Sequence, residues 1–208
     1  MSAREQILAR IRSTQVPAPA TGIRRDYSHV RKHDDRLALF VARVQDYKAT
    51  VIRTPPDGVA AAVAKCLVDA RQVVIPPGFD PSWVPEGLDI VGDQPPLSAS
   101  ELDGVDAVLT AAMVGIAETG TIVLDHSAGM GRRTLTLVPD MHVCVLTADQ
   151  VVGDVPEAVA RLSASVKSGR PLTWISGGSA TVDIELSRVE GVHGPRTLRV
   201  VLVEPSTT

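Results

Sequence analysis

The sequence predicts an α/β protein, a three-layer sandwich built on a mainly parallel sheet that also has an antiparallel portion. Short apolar runs alternate with helical patterns at short intervals, which is typical of parallel β-α-β units. The runs are almost continuously apolar, as in strands buried on both faces. Of 208 residues, 44% are hydrophobic and only 3% aromatic. We therefore expect an aliphatic core that fills one large domain or two small ones.

Residues 1–26 are expected to form a helical arm and a proline-rich connector. Apolar residues recur on one side of a helix predicted over Ala3–Arg12, with Ser2 as a plausible N-cap. Two prolines and a glycine in residues 15–22 break this pattern and predict an extended segment. Such an arm packs on its own body or reaches a neighbouring subunit. Residues 27–208 are expected to form the α/β domain.

The first part of the domain alternates helices and strands. Apolar residues on one face predict the first helix, and prolines and glycines mark the strand ends. The predicted order is a helix over Val30–Tyr47, a strand over Ala49–Thr54, a helix over Gly58–Ala70 capped by Asp57, strands over Gln72–Ile75 and Leu88–Val91, a helical turn over Ser98–Leu102 and a strand over Ala107–Thr110.

The pattern then changes, because three strands follow with little room for helices between them. These strands are predicted over Thr121–Leu124, Thr134–Val138 and His142–Leu146, and they indicate the antiparallel portion of the sheet. The remaining predictions are a helix over Pro156–Lys167, a strand over Pro171–Ile175, a helix over Ala180–Arg188 and a strand over Leu198–Val203.

The first candidate site is the loop that leads into the strand at residue 121. It presents one acid, Glu118, followed by Thr119, Gly120 and Thr121. Functional residues are concentrated on loops held by a rigid sheet, and the threonine hydroxyls and amides suit an anion. An acid at a strand entrance is also commonly a solvated end or a cap, and both interpretations remain open.

The second candidate site is the glycine-rich loop Ser176-Gly177-Gly178-Ser179, which lies between a predicted strand and a predicted helix. Glycines allow amides to converge on one point, and a helix start adds partial positive charge, so the pattern suits phosphate or carboxylate. A turn with a helix cap explains the same residues equally well.

Six other polar residues have a simpler structural explanation beside a functional one. Asp183 would orient a catalytic group or stabilise a helix start. His193, in a glycine-flanked loop, would act as acid, base or anion contact, or bond to a turn. Arg132 and Arg133 would form an anion lid or a solvated turn. His29 and His33 lack the acid pattern of a metal site, and we predict no metal.

Composition excludes several classes of function. A formal net charge of −3 argues against a nucleic-acid partner held by a general basic field. Cys66 and Cys144 lie in apolar patterns without CxxC partners, so we expect buried thiols rather than disulfides or a cysteine-held metal. No run approaches the ~18 apolar residues of a membrane helix, and the charged start lacks a signal-peptide core. We therefore expect a cytoplasmic protein without a membrane partner.

Three motifs taken in order resemble the LUD-domain family, and within it the group of lactate utilization protein C. They are GIAETGT at 115–121, LVPDMH at 137–142 and ISGGSATVDIE at 175–185 followed by GVHGP at 191–195. The likeness spans about residues 27–208. It implies a Rossmann-like core similar to that of phosphosugar isomerases and CoA transferases. CoA transferases use a Glu in a comparable loop as nucleophile, which points to Glu118. Family members often carry proline or another residue where this chain has Gly177-Gly178.

The resemblance also implies a system that oxidises L-lactate to pyruvate with two iron–sulphur partners. The leading hypothesis is a subunit that binds a small anion between the Glu118 loop and the Ser176–Ser179 loop, with Glu118 or His193 moving a proton and Asp183 orienting it. The first alternative is a stand-alone enzyme on phosphosugar or acyl-CoA substrates. The second is a non-catalytic scaffold. The residues do not identify a cofactor.

Overall fold

The computed structural model describes residues 2–14, 30–181, 189–191 and 194–206. Within these ranges the α-helices are α1 (Ala3–Ser13), α2 (Arg36–Asp46), α3 (Val59–Cys66), α4 (Ala99–Asp103) and α5 (Val155–Lys167). The strands are β1 (Thr50–Thr54), β2 (Gln72–Ile75), β3 (Asp89–Gly92), β4 (Ala107–Ala111), β5 (Val114–Ile116), β6 (Thr121–Leu124), β7 (Met141–Thr147), β8 (Val151–Val152), β9 (Thr173–Ile175), β10 (Ala180–Thr181), β11 (Val189–Glu190) and β12 (Thr197–Val203).

The main sheet has six strands in the order β1-β12-β7-β4-β2-β3. Every pair in it is parallel. One face packs against α3, where Val63 shares a buried aliphatic cluster with Leu109 of β4 and Val143 of β7. The predicted α/β class on a mainly parallel sheet is therefore confirmed.

A second sheet packs on the opposite face of the main sheet. Its order is β8-β5-β6-β9, and β6 is antiparallel to both β5 and β9. Ile122 of β6 packs with Leu146 of β7 and with Phe40 of α2 in one buried cluster. The outer face of the second sheet is covered by α5 through Leu162 and Val123. The predicted antiparallel portion is thus a separate sheet.

Two predictions for this region were wrong. The third strand of the supposed antiparallel group is β7, which lies in the main sheet and is parallel to β4 and β12. The strand predicted over Thr134–Val138 is a 3₁₀ turn over Arg133–Thr136. Leu135 in that turn is fully buried against Val74 and Leu102. A single inward-facing leucine produces the same short apolar pattern in a turn as in a strand, and the sequence cannot separate the two.

The sequence did not predict β5, because Gly115 in the middle of this strand weakens the strand pattern. A Cβ on Gly115 would lie 2.8 Å from Leu146 Cδ2 and 3.2 Å from Phe40 Cε2. The glycine is therefore what lets β5 approach both the main sheet and α2. Close packing, and not the strand propensity of glycine, explains why position 115 is glycine.

Helix boundaries also shifted. The helix predicted over Val30–Tyr47 begins only at Arg36, where the Asp35 side chain accepts a hydrogen bond of 2.9 Å from the amide of Ala38. Asp57, predicted to cap α3, lies instead inside a 3₁₀ turn before it. By contrast, Ser2 caps α1 as predicted.

The helix predicted over Ala180–Arg188 is contradicted at its start. Ala180 and Thr181 form β10, which pairs antiparallel with β11. The remaining residues of that prediction, 182–188, lie outside the described part of the chain. Within the described residues, the two that follow Ser179 are therefore in a strand and do not begin a helix.

Alanine substitutions at two glycines with positive φ test how tightly the β5–β6 turn packs. Gly120 lies in this turn, and Gly87 lies outside it. Gly120 has φ +59°, and a Cβ there would lie 2.6 Å from the carbonyl carbon of Arg43. Gly87 has φ +82° with nothing within 4 Å. We expect Gly87→Ala to lower the free energy of unfolding by about 1–2 kcal/mol from backbone strain alone. Gly120→Ala should cost about 1–3 kcal/mol more, because α2 must move.

Urea denaturation of both variants, with wild type alongside, measures this difference. Equal losses for the two alanines would show that the turn accommodates a methyl group and that α2 does not constrain it.

Candidate functional site

Glu118 lies in the tight turn between β5 and β6. Its Oε1 is 3.3 Å from an Arg31 guanidinium nitrogen, and its Oε2 is 3.6 Å from His33 Nε2. Its amide donates to the carbonyl oxygen of Gly153 at 3.1 Å. The side chain is 35% exposed. Glu118 therefore joins the segment before α2 to the start of α5, and its charge is balanced by Arg31.

A chain of hydroxyl groups links the two loops singled out from the sequence. Thr119 Oγ1 lies 2.7 Å from Thr121 Oγ1, which lies 2.8 Å from Ser176 Oγ. Register explains the contact, because Ile122 of β6 pairs with Ile175 of β9, so the residues just before and just after this pair are neighbours. The structure thus brings Thr119, Thr121 and Ser176 into direct contact.

A pocket of about 210 Å³ opens on the other side of the Ser176 loop, between the two sheets. We call it the inter-sheet pocket. Its polar lining residues are Arg133, Thr136, His142, Thr173, Ser176 and Ser179, and its apolar ones include Leu137, Ile175 and Leu198. Glu118 and Thr119–Thr121 are not among the residues that line it. The glycine-rich loop therefore borders the pocket, and the Glu118 turn does not.

The glycine-rich loop is fixed by backbone contacts. Gly177 has φ +85°, and a Cβ there would lie 2.5 Å from Tyr47 Cβ. A Cβ on Gly178 would lie 2.5 Å from the carbonyl oxygen of Arg196. The amide of Ser179 donates to the carbonyl oxygen of Pro195 at 2.8 Å. Both glycines are therefore required by close packing, and the Ser179 amide already has an acceptor.

Adjacent arginines have different roles. Arg132 makes a two-pronged ion pair with Asp93, at 2.8 and 2.9 Å, and this pair holds the pKa of Asp93 below its usual value. Arg133 lines the inter-sheet pocket. The two arginines of the predicted anion lid thus differ, because Arg132 is bound to Asp93 and Arg133 borders the inter-sheet pocket.

His142 was not predicted as a site residue. It is 1% exposed, its Nε2 lies 2.8 Å from Thr110 Oγ1, and its ring borders the inter-sheet pocket. Burial lowers its pKa to about 4, so the imidazole is neutral at neutral pH. The sequence contained one signal for the burial of His142. Side chains alternate along the strand His142–Leu146, so His142 lies on the same face as Leu146.

The loop after β6 begins with a buried carboxylate, Asp125, which was not predicted as a site residue. Asp125 is 1% exposed and accepts hydrogen bonds from Ser127 Oγ at 2.6 Å, Ser165 Oγ at 2.6 Å and Arg170 at 3.2 Å. Burial by itself would raise the pKa of Asp125, but these hydrogen bonds together lower it. Asp125 therefore fastens the end of β6 to α5.

Two of the predicted catalytic residues, Asp183 and His193, lie outside the described residues. Among the residues that are described, no group of three His, Cys, Asp or Glu side chains is placed to hold a metal ion. No helix in the same ranges is long and apolar enough to cross a membrane.

A six-stranded parallel sheet and a smaller mixed sheet, with a pocket between them, define an α/β protein. The model of the LUD domain matches residues 99–203, and the chain belongs to the LUD domain family. That range includes Glu118 and the described residues that line the inter-sheet pocket. The resemblance noted in the sequence is therefore confirmed.

Individual relatives extend this comparison. Lactate utilization protein C of Deinococcus radiodurans is 54% identical over 167 residues, which cover 80% of this chain and 79% of that protein. Lactate utilization protein C of Shouchella clausii is 30% identical over 51% of this chain and 48% of its own length. A crystal structure of a DUF162 family protein from Deinococcus radiodurans has a TM-score of 0.73 at 48% identity, over 81% of this chain and 96% of that chain.

The pKa of His142 predicts an acid-dependent loss of stability. The folded-state pKa lies below the ordinary 6.5, so the unfolded chain takes up the proton first as pH falls. The contribution is fully present above pH 6.5 and is lost between pH 6.5 and about 4. It amounts to about 3 kcal/mol, because one pKa unit corresponds to about 1.4 kcal/mol.

Urea unfolding of wild type and His142→Gln across this pH range tests the prediction. The variant should be less stable at neutral pH, and the two stabilities should converge towards pH 4. A constant difference would contradict a buried neutral histidine.

Proposed function

We propose that this chain is a component of a cytoplasmic system that oxidises L-lactate to pyruvate, and that it binds a small carboxylate in the inter-sheet pocket. Relatives named lactate utilization protein C support the system. The observation that carries the ligand proposal is the pocket itself, which combines a cationic side chain, hydroxyl groups and an apolar wall in one concave space.

Each part of the pocket suits a short carboxylic acid. The Arg133 guanidinium presents paired donors that match a carboxylate, and Ser176 and Ser179 contribute hydroxyl groups nearby. Ile175 and Leu198 provide apolar surface for a methyl group. The volume of about 210 Å³ exceeds the ~30 Å³ share of one water several-fold. A three-carbon acid fits this space with room for a few waters.

Glu118 is the proton-transfer residue in this proposal. Its turn carries Thr119, Gly120 and Thr121, and the hydroxyl chain through Thr121 reaches Ser176 on the pocket wall. The Glu118 carboxylate contacts Arg31 and His33, and the threonines of the same turn begin the polar path between the two loops. Proton transfer by Glu118, the acid of this turn, is the catalytic part of the proposal.

Electron transfer in such a system requires partners. Cys66 and Cys144 are the two cysteines of the chain, and they are buried in separate core clusters, one on each face of the main sheet. An iron–sulphur cluster takes about four cysteine ligands. We therefore place the clusters on iron–sulphur subunits that assemble with this chain.

Calorimetric titration with sodium L-lactate tests the ligand proposal. We expect wild type to bind and Arg133→Gln to bind about 10- to 100-fold more weakly, because a hydrogen bond to a charged group contributes about 1.5–3 kcal/mol. Arg36→Gln is the matched control, since Arg36 is an exposed arginine at the first position of α2. Equal affinities of wild type and Arg133→Gln would remove the pocket from the proposal.

Growth and co-purification test the system and the role of Glu118 together. In cells that depend on L-lactate, the tagged wild-type chain should support growth and bring down iron–sulphur proteins in near-equal amounts. Glu118→Gln should retain the partners and the fold but lose growth, because it keeps the shape of the side chain and removes its proton-accepting charge.

Glu86→Gln, at an exposed acid away from the pocket, is the control and should behave as wild type. Normal growth of the Glu118→Gln strain would exclude a catalytic Glu118. Absence of iron–sulphur proteins from the wild-type preparation would exclude the proposed assembly.

A further inference from the structure

His126 is held in an unfavourable backbone conformation directly after β6. Its φ is +57°, in the left-handed region that side chains rarely adopt. Two hydrogen bonds hold the ring, from Nδ1 to the carbonyl oxygen of Gly131 and between Nε2 and Thr173 Oγ1, each 2.7 Å. Backbone strain of this kind persists where the surroundings over-determine it, and it is concentrated at functional sites.

The two contacts determine where the protons lie. A carbonyl oxygen only accepts, so Nδ1 of His126 carries the hydrogen and donates it to Gly131. In the neutral ring Nε2 is then an acceptor. Thr173 Oγ1 then donates its single hydrogen to the neutral His126 ring.

Thr173 also lines the inter-sheet pocket. Because its hydrogen is committed to His126, its oxygen can only accept a hydrogen bond from a ligand. The backbone that orients His126 is also linked to the cationic side of the pocket, since Gly131 lies two residues before Arg133. One loop thus sets the acceptor at Thr173 and supplies the donor for a carboxylate.

We propose that Thr173, oriented by His126, makes the pocket selective for a hydroxy acid over the corresponding keto acid. A hydroxyl group donates to Thr173 Oγ1, whereas a keto oxygen meets an acceptor with no hydrogen to offer. This inference rests on the proposed carboxylate site and specifies its substrate class. Thr173 is the specificity residue, and His126 is a positioning residue.

Titration of the full chain with sodium L-lactate and, separately, sodium pyruvate tests the selectivity. Wild type should bind L-lactate more tightly. Thr173→Val keeps the β-branched shape and removes the oxygen, so it should lose about 3- to 10-fold in affinity for lactate with little change for pyruvate. Thr173→Ser restores the hydroxyl group and should restore the preference.

His126→Asn provides the second test, because asparagine tolerates positive φ but is shorter. Without the imidazole the Thr173 hydroxyl hydrogen is free to donate, so the affinity for pyruvate should rise relative to lactate. Thr50→Val, an exposed threonine on the edge strand β1, is the matched control and should not alter either affinity.

The outcomes separate this inference from the function on which it rests. If wild type binds neither acid, the carboxylate site itself is wrong. If it binds both equally while Arg133→Gln weakens both, the carboxylate site stands and selection by Thr173 is excluded. A Thr173→Val variant that loses both acids equally would likewise exclude it.

Discussion

The packing of the small sheet on the face of the main sheet is the constraint on which the rest of the structure depends. Aliphatic side chains such as Ile122 and Leu146 form one buried cluster across the two sheets, and burial of this kind is the main favourable term in folding. Glycine at position 115 allows β5 to come close. Where the sheets separate, beside β9 and the starts of β7 and β12, the inter-sheet pocket opens. The candidate site is thus a consequence of how two sheets meet.

The loop between β6 and the 3₁₀ turn joins structural and functional roles in a few residues. Asp125 and Arg132 are committed to hydrogen-bonded partners in α5 and in the segment after β3. They fix the two ends of the loop. His126, directly after Asp125, and Arg133, directly after Arg132, are therefore held in defined positions. A site held in this way is pre-organised, and pre-organisation reduces the ordering that a ligand must induce.

The two loops chosen from the sequence meet in the structure but do not contribute equally to a ligand space. Pairing of β6 with β9 brings Thr121 beside Ser176, which neither motif shows by itself. Glu118 is then turned towards Arg31 and His33, while Ser176 and Ser179 face the pocket. The row of hydroxyl groups from Thr119 to Ser176 therefore connects the Glu118 turn with the wall of the proposed ligand pocket.

The sequence predicted the α/β class, most strands of the main sheet and the cap at Ser2, and it proposed the two candidate site loops, because periodicity, caps and glycines are local signals. It could not determine that β7 is parallel, that Thr134–Val138 contains a turn, or that His142 and Thr173 border one pocket. These features depend on strand register and on contacts between residues distant in the chain. Burial then lowered the pKa of His142, a property that exists only once the two sheets have closed around the ring.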